Sequence, residues 1–198
     1  MKFLSARSAV TLLIATLLAG CSRTVTWQEE VPLNTGETIW VTREVTYKLQ
    51  GASGNPLDMG YRPDWTEELA FDWQGRHYRY VGDASLMLLA ISPAAKRPVL
   101  VAKAADKQWN WQNNYRCTTP FYVQFVPDAS GRVWSWPPSI EPWLYGMPYN
   151  LMAKRADLGE FKTRYTSSDR ARMDRTMSIQ NPSSVRVDPA YMFDGCKK

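Results

Sequence analysis

The stretch LAFDWQGRHYRYV, residues 69–81, has the alternating pattern of a β-hairpin closed by the dipeptide Gln74-Gly75. Successive side chains of a strand point to opposite faces, and a two-residue turn sets which residues lie opposite each other. In this register all the apolar residues share one face, so the stretch predicts an antiparallel hairpin that covers a core. The predicted pairs are Trp73 with Arg76, Asp72 with His77, Phe71 with Tyr78, and Leu69 with Tyr80.

Other stretches have strand patterns of two kinds. In residues 38–50 apolar and polar side chains alternate, which is typical of a half-buried strand. The uninterrupted apolar run at 86–91 suits a strand buried on both faces, and 98–104 suits its neighbour. A second hairpin is expected over 121–136, where a four-residue turn at 128–131 would pair Phe125 with Trp134 and Val123 with Trp136.

These strands are joined by turn signals rather than by long helical patterns. We therefore predict a mostly-β chain, folded as a single antiparallel β-sandwich or a partly open barrel, with at most one or two short helices. One helix is expected at 167–177 with Ser168 as its N-cap. Long Pro/Gly-rich loops are also expected, among them residues 51–65. Residues 23–35 are expected to be partly a tether, although Val25 and Trp27 have the pattern of a first strand.

The first 20 residues have the features of an export signal. The basic residues Lys2 and Arg7 precede an uncharged run at 9–18, which is shorter than the roughly 20 apolar residues that a spanning helix needs. The run ends at Leu18-Ala19-Gly20-Cys21. This tetrapeptide resembles the lipobox of bacterial lipoproteins, although an ordinary signal peptide that ends near a cysteine has the same basic and apolar parts.

The resemblance to bacterial lipoproteins implies that residues 1–20 are removed and that Cys21 is acylated. Several acyl chains on one residue anchor a protein stably to a membrane. In Gram-negative members an aspartate after the cysteine retains the protein at the inner membrane, whereas this chain has Ser22. The resemblance therefore implies a β-rich body at 21–198 that is anchored to the outer membrane and faces the periplasm. A Gram-positive source would place that body outside the cell.

Export also constrains the partners and the cysteines. The formal net charge of +5 falls to +3 when Lys2 and Arg7 are removed, and an exported chain is not expected to meet nucleic acid. The partners expected are the membrane, through the anchor, and an envelope protein or cell-wall polymer. Cys117 and Cys196 are an even pair in an oxidising compartment, so we expect a disulfide, with two buried free thiols as the alternative.

Few residues could carry catalytic chemistry. His77 is the only histidine and faces Asp72 in the predicted hairpin, so the two could act as a general base and its orienting carboxylate. They could equally be polar residues on the solvated face. The sequence contains no cysteine cluster, no calcium loop and no phosphate-binding glycine loop, so we expect no metal and no cofactor.

Aromatic residues separated by prolines fill the stretch VWSWPPSIEPWLYGMPY, residues 133–149. Such a segment can present rings for sugar stacking or protein docking, or it can pack its rings over a small β core. We expect Trp134 and Trp136 to be core residues. Trp143 and Tyr145, together with Trp111, are the expected binding residues.

Three functions remain open from the sequence. The first is a non-enzymatic, lipid-anchored binding domain that uses its aromatic segment. The second is an envelope hydrolase with Asp72 and His77 at its centre. The third is a structural subunit of an envelope or secretion complex.

Overall fold

The computed structural model describes residues 22–52, 55–103, 122–137, 139–152, 162–172 and 186–190. Within these ranges nine strands form two sheets, with the orders β4-β3-β2-β1-β9 and β5-β6-β7-β8. The strands are β1 (Ser22–Pro32), β2 (Thr38–Ala52), β3 (Asn55–Trp73), β4 (Arg76–Gly82), β5 (Ser85–Ile91), β6 (Pro98–Lys103), β7 (Tyr122–Pro127), β8 (Trp134–Ser135) and β9 (Arg164–Tyr165). A 3₁₀ helix covers Pro142–Leu144, and a short helix covers 167–172.

The mostly-β prediction is confirmed, and the two sheets pack in the manner of a sandwich. One apolar cluster lies between them and includes Val41, Leu69 and Phe71 from the first sheet and Leu89 and Leu100 from the second. Burial of this apolar surface is the main favourable contribution to folding. The described part of the chain has no helix that combines the length and hydropathy needed to cross a bilayer.

The second sheet is covered on its outer face as well. Leu88 and Val99 point away from the first sheet and contact Ile140, Leu144 and Val187 from the later part of the chain. This cover explains the uninterrupted apolar run of β5, because both of its faces are buried. The predictions of a doubly buried strand at 86–91 and of a neighbouring strand after residue 97 are confirmed.

The predicted hairpin at 69–81 is confirmed in every pair, from Trp73 opposite Arg76 to Leu69 opposite Tyr80. Gln74 and Gly75 both have positive φ, 49° and 72°, as the tight turn of a twisted hairpin requires. The predicted pairing within 121–136 is wrong by two residues. Trp134 lies opposite Pro127, not opposite Phe125.

The carboxylate of Asp128 explains this longer loop. It accepts hydrogen bonds from the backbone N–H of Ser130 over 3.1 Å and of Val133 over 3.3 Å. These bonds stabilise a turn that delays the return of the chain until residue 134. Because the shift is an even number of residues, the aromatic face predicted for the hairpin is kept, and Trp136 meets Phe125 edge to face.

Two segments expected to be wholly or partly irregular are strands. Residues 51–65 were expected to be a loop, but most of them belong to β3, which pairs with the end of β2 from Tyr47 opposite Pro63 to Gly51 opposite Met59. Proline is tolerated there because β4 ends opposite Glu67, which leaves this part of β3 with one neighbouring strand. The tether expected within 23–35 is not seen in the described residues, whereas the first strand expected around Val25 and Trp27 is confirmed as β1, which pairs with β2 from Ser22 onward.

The predicted helix begins at residue 167, and its N-cap is Thr166 rather than Ser168. The hydroxyl of Thr166 accepts a hydrogen bond from the Asp169 N–H over 3.3 Å. In return, the Asp169 carboxylate accepts one from the Thr166 N–H over 3.0 Å. This reciprocal pair is a capping box, which Ser168 could not form because the residue three positions later is Ala171.

Two asparagine side chains cover the open edge of β5. Asn34 exchanges hydrogen bonds with the backbone of Ile91 at 2.7 and 2.9 Å. Asn150 does the same with Leu89, at 2.8 and 2.7 Å, and also donates to the carbonyl of Pro32 over 2.9 Å. These amides occupy the positions that a neighbouring strand would take, so they join the two sheets and protect this edge from pairing with another chain.

Candidate functional site

The two ends of the sandwich differ. β1 begins at Ser22 at one end, which we call the proximal end. Four strand connections lie at the opposite, distal end, at 33–37, 74–75, 92–97 and 128–133. Connections gathered at one end of a rigid sandwich are common binding sites, because the sheets fix the position of the loops.

Two neighbouring grooves open at the distal end, and Lys96 lines both. The Trp73 groove, of about 400 Å³, lies between Trp73, Glu37 and Pro93. The Arg97 groove, of about 380 Å³, lies between Arg97, Arg76 and the 128–133 loop. The grooves are therefore built by connections from both sheets.

The polar groups of the Trp73 groove already have partners. The indole Nε1 of Trp73 donates to Glu37 Oε2 over 2.8 Å, and the Thr35 hydroxyl donates to the same oxygen over 3.3 Å. The amide of Asn34 is bonded to Ile91. This groove therefore presents a fixed indole and a carboxylate whose hydrogen bonds are made within the protein.

The Arg97 groove is positively charged. Arg76, Lys96 and Arg97 line it together with one acidic residue, Asp128. Hydrogen bonds from the Ser130 side chain and from backbone N–H groups lower the pKa of Asp128, so its carboxylate is ionised and engaged in the loop. The three cationic side chains can therefore attract an anionic group from outside the protein.

The position of Lys96 is set by its backbone. Its φ is 49°, a left-handed value that residues other than glycine seldom adopt. The Lys96 N–H donates to the Ser92 carbonyl, and the Ser92 N–H donates to the Arg97 carbonyl, each over 2.9 Å. The tight turn thus holds Lys96 between the two grooves.

The predicted Asp72–His77 pair is formed. His77 Nδ1 lies 2.8 Å from Asp72 Oδ1, as the hairpin register requires. The His77 side chain is 53% exposed and the Asp72 side chain 80% exposed, and neither lines either groove. The pair has the geometry of a base and its orienting carboxylate, placed on an open face of the first sheet.

The exposure expected for the aromatic segment 133–149 is wrong for three of its five aromatic residues, which are Trp136, Trp143 and Tyr145. Trp143 and Tyr145 are half-buried against the cluster on the outer face of the second sheet. The indole of Trp143 donates to Glu141, which accepts a second bond from Gln124 Nε2 over 2.8 Å. Trp136, expected in the core, is 46% exposed. The difference arises because the 3₁₀ helix returns the chain onto the outer face of that sheet.

Trp134 has a structural role closer to the expected one. It is half-buried against the core between the sheets, and its indole donates to the carbonyl of Arg79 over 2.9 Å. The Gly131 carbonyl accepts a hydrogen bond from the N–H of the same Arg79 over 3.0 Å. The turn between β7 and β8 is therefore joined to the outer edge of β4.

A buried charge cluster was not predicted. The side chain of Arg43 contacts Glu29 and Glu67, and all three are buried. A signal for it exists in the sequence, because Arg43 occurs in phase with Val41 and Val45 on the inward face of β2.

Other predicted site residues lie outside the described part of the chain. These are the lipidation residue Cys21, the expected disulfide partners Cys117 and Cys196, and the expected binding residue Trp111. Among the residues that are described, no group of three or more His, Cys, Asp or Glu side chains is arranged to hold a metal ion.

Comparisons with known proteins give the chain no relatives: no protein-family model, no curated protein and no solved structure matches it.

Proposed function

We propose that this chain is a lipid-anchored lipoprotein of the cell envelope that binds an anionic partner with the distal end of its sandwich. Cys21 carries the anchor in the outer membrane, and the body faces the periplasm. The function is binding rather than catalysis. The partner is an envelope protein or a cell-wall polymer that bears carboxylate or phosphate groups.

One observation carries this proposal: the strand that follows the lipobox begins at Ser22, and both grooves lie at the other end of the sandwich. With no tether between the anchor and the first strand, the proximal end is held at the bilayer. The distal loops then point away from the membrane, where soluble and cell-wall partners are found.

The charge of the Arg97 groove supports an anionic partner. Guanidinium groups bind carboxylate and phosphate oxygens through two parallel hydrogen bonds, and an ammonium group adds a mobile donor. Arg76, Arg97 and Lys96 offer these groups from two different connections. The cationic side chains of this groove therefore come from connections of both sheets.

The test is a double substitution, Lys96→Asn and Arg97→Gln, in the acylated protein. Asparagine tolerates the left-handed φ of residue 96, so the turn should be preserved. We expect binding to purified peptidoglycan sacculi, or photocrosslinking to an envelope protein from residue 129 in the same groove, to weaken about tenfold or more. The matched control is Arg23→Gln with Lys48→Asn, which removes two exposed charges at the proximal end.

Intact-mass analysis of the natural protein tests the anchor separately. The expected product begins at residue 21 and carries acyl chains on Cys21. A product that retains residue 1, or that has an unmodified thiol at residue 21, contradicts the anchor. If the distal double substitution changes neither the binding to sacculi nor the crosslinking to an envelope protein, the distal binding site is contradicted.

A second candidate function is an envelope hydrolase, which the 2.8 Å contact between His77 and Asp72 favours. In that case His77→Ala removes the activity and the associated phenotype, whereas Lys96→Asn leaves the chemical step intact. Under the binding function the pattern is reversed. Comparing these two variants in one growth or envelope-integrity assay separates the functions.

A further inference from the structure

The ends of β2 and β3 form a two-stranded ribbon at the proximal end, made of residues 48–52 and 55–62. β4 has ended opposite Glu67, and β1 begins only at Ser22, opposite Lys48. Beyond that pair β2 and β3 have no neighbour except each other in the described part of the sheet. The ribbon continues past Ser22 for about four residues, or about 13 Å at 3.3 Å per residue.

The ribbon has one apolar face. Leu49 lies opposite Tyr61 and Gly51 opposite Met59, so the side chains of Leu49, Tyr61 and Met59 share a face. Leu57 precedes Met59 in the irregular part of the ribbon, where the register shifts between Gly51 and Ala52. Tyr61 packs partly against the buried cluster at the base of the ribbon. Leu49, Met59 and Leu57 are 39%, 54% and 90% exposed.

The opposite face of the ribbon is charged. Lys48 pairs with Asp64 over 2.8 Å, and Arg62 lies 3.8 Å from Asp58. An amphipathic element with neighbouring exposed apolar side chains marks an interaction surface, because soluble proteins seldom leave such groups in water without a use. The charged face can remain in water while the apolar face is buried in an apolar environment.

The position of Ser22 indicates which apolar environment this is. Cys21 is bonded to Ser22, so their Cα atoms are about 3.8 Å apart. If Cys21 carries acyl chains, Ser22 lies at the level of the lipid headgroups, and the ribbon that extends past it has to enter the same region. Interfacial elements bury their apolar face about 5–10 Å into the headgroup and acyl boundary, a depth that the length of the ribbon allows.

We propose that the apolar face of this ribbon inserts into the bilayer interface beside the acylated cysteine. The proposal rests on the lipid anchor of the proposed function. The acyl chains and the ribbon then make two attachments on neighbouring strands. Two attachments fix the tilt of the sandwich, which acyl chains on a single residue cannot do, and they direct the distal grooves away from the membrane.

The test uses Met59 as a native reporter in the acylated protein. Methionine methyl groups are isotope-labelled, and the protein is placed in nanodiscs of phosphatidylethanolamine and phosphatidylglycerol. A fraction of the lipid carries a nitroxide on its acyl chain. We expect the Met59 methyl signal, assigned with Met59→Leu, to be lost in the doped nanodiscs, whereas the signal of Met147 on the outer face of the second sheet is retained.

A pair of variants tests whether insertion depends on the apolar face. Leu57→Asp is expected to restore the Met59 signal in doped nanodiscs, because a charged group at the ribbon is disfavoured in the interface. The matched control, Val133→Asp, changes an apolar residue that is 65% exposed at the distal end and should leave the Met59 signal lost. The signal of buried Met152 reports that both variants are folded.

The possible failures can be told apart. A protein that does not co-elute with nanodiscs overturns the anchor and this proposal together. A protein that co-elutes but keeps its Met59 signal overturns the ribbon proposal alone. A Met59 signal that changes with protein concentration in undoped nanodiscs assigns the face to a second copy of the chain, and also overturns it.

Discussion

The guanidinium of Arg43 donates from Nη2 to Glu67 over 2.5 Å, and both side chains are completely buried. Its Nη1 donates to Glu29 over 2.9 Å and to the carbonyl of Met152 over 3.1 Å. Glu67 in turn accepts the N–H of Leu86, at the start of the second sheet. Arg43 therefore connects three neighbouring strands to each other, and the cluster connects them to the opposite sheet.

The first prediction is that Arg43→Met lowers the free energy of unfolding by about 3–5 kcal/mol. A buried ion pair adds little net stability over apolar side chains, but removal of one partner leaves buried carboxylates without their counter-charge. Urea denaturation measures the loss. Lys48→Met removes one partner of an exposed ion pair and should cost no more than about 0.5 kcal/mol. Equal losses in the two variants would contradict a special role for the buried cluster.

The second prediction concerns pH. Burial raises the pKa of Glu29 above the usual glutamate value of 4.5, although Arg43 and the Met152 N–H oppose the shift. The folded state then binds a proton more tightly than the unfolded state. The resulting stability is complete below 4.5 and is lost as pH rises through the folded pKa. Compared with the Glu29→Gln variant, the wild type should therefore lose stability as the pH rises from 4.5 through the folded-state pKa of Glu29.

Parallel urea titrations of the wild type and Glu29→Gln check this pH dependence. Carboxylates with a lowered pKa, such as Asp128, contribute equally to both proteins and cancel in the difference. If the difference in unfolding free energy between the wild type and Glu29→Gln stays constant or grows as the pH rises, the pKa of Glu29 is not raised in the folded state.

The third prediction is that Asn150→Ala destabilises the chain by about 1–3 kcal/mol, because it leaves buried backbone groups of Leu89 without hydrogen bonds. Asn34→Ala is the comparison, since it removes a similar pair of bonds at a partly buried position and should cost less. Exposure of the β5 edge should also raise the tendency to aggregate. Denaturation and light scattering on the same samples measure both effects.

The fourth prediction contrasts two tryptophans. Trp143→Ala should cost about 2 kcal/mol, since the ring packs on the outer face of the second sheet and its indole donates to Glu141. Trp136→Ala should cost less than about 1 kcal/mol, because this side chain is nearly half exposed. Thermal or urea unfolding of the two variants measures both losses of stability. A larger loss for Trp136 than for Trp143 would contradict the greater exposure of the Trp136 side chain.

The fifth prediction contrasts two glycines of positive φ, 74° at Gly131 and 72° at Gly75. Alanine at either position costs about 1 kcal/mol for the left-handed backbone alone. At Gly131 the added Cβ would also lie 2.8 Å from the carbonyl oxygen of His77, whereas at Gly75 it would meet nothing within 4 Å. Gly131→Ala should therefore be the more destabilising variant by chemical denaturation, and equal losses would exclude the steric contribution.

The local features of this fold were predictable from the sequence. Residues 69–81 carry an alternating pattern and a two-residue turn, and both constraints act between residues close in the chain. The apolar run of β5 was also sufficient to predict a strand buried on both faces. The Asp72–His77 contact followed directly from the hairpin register.

Sequence reasoning failed where a partner comes from elsewhere in the chain. The Gly- and Pro-rich residues 51–65 have a weak strand pattern of their own, and pairing with β2 makes most of them a strand. The return of the 3₁₀ helix onto the second sheet decides which tryptophans are buried, and no local pattern encodes that return.

By itself, the sequence determined the mostly-β class, the antiparallel hairpin and the doubly buried strand, because period and turn chemistry are local properties of the chain. Only the tertiary structure decided that Arg43 is buried between Glu29 and Glu67, which lie 14 and 24 residues away in the sequence. A charged residue in phase with an apolar face can be buried only where opposite charges from other strands compensate for its desolvation. Which strands lie side by side is settled when the sheets assemble.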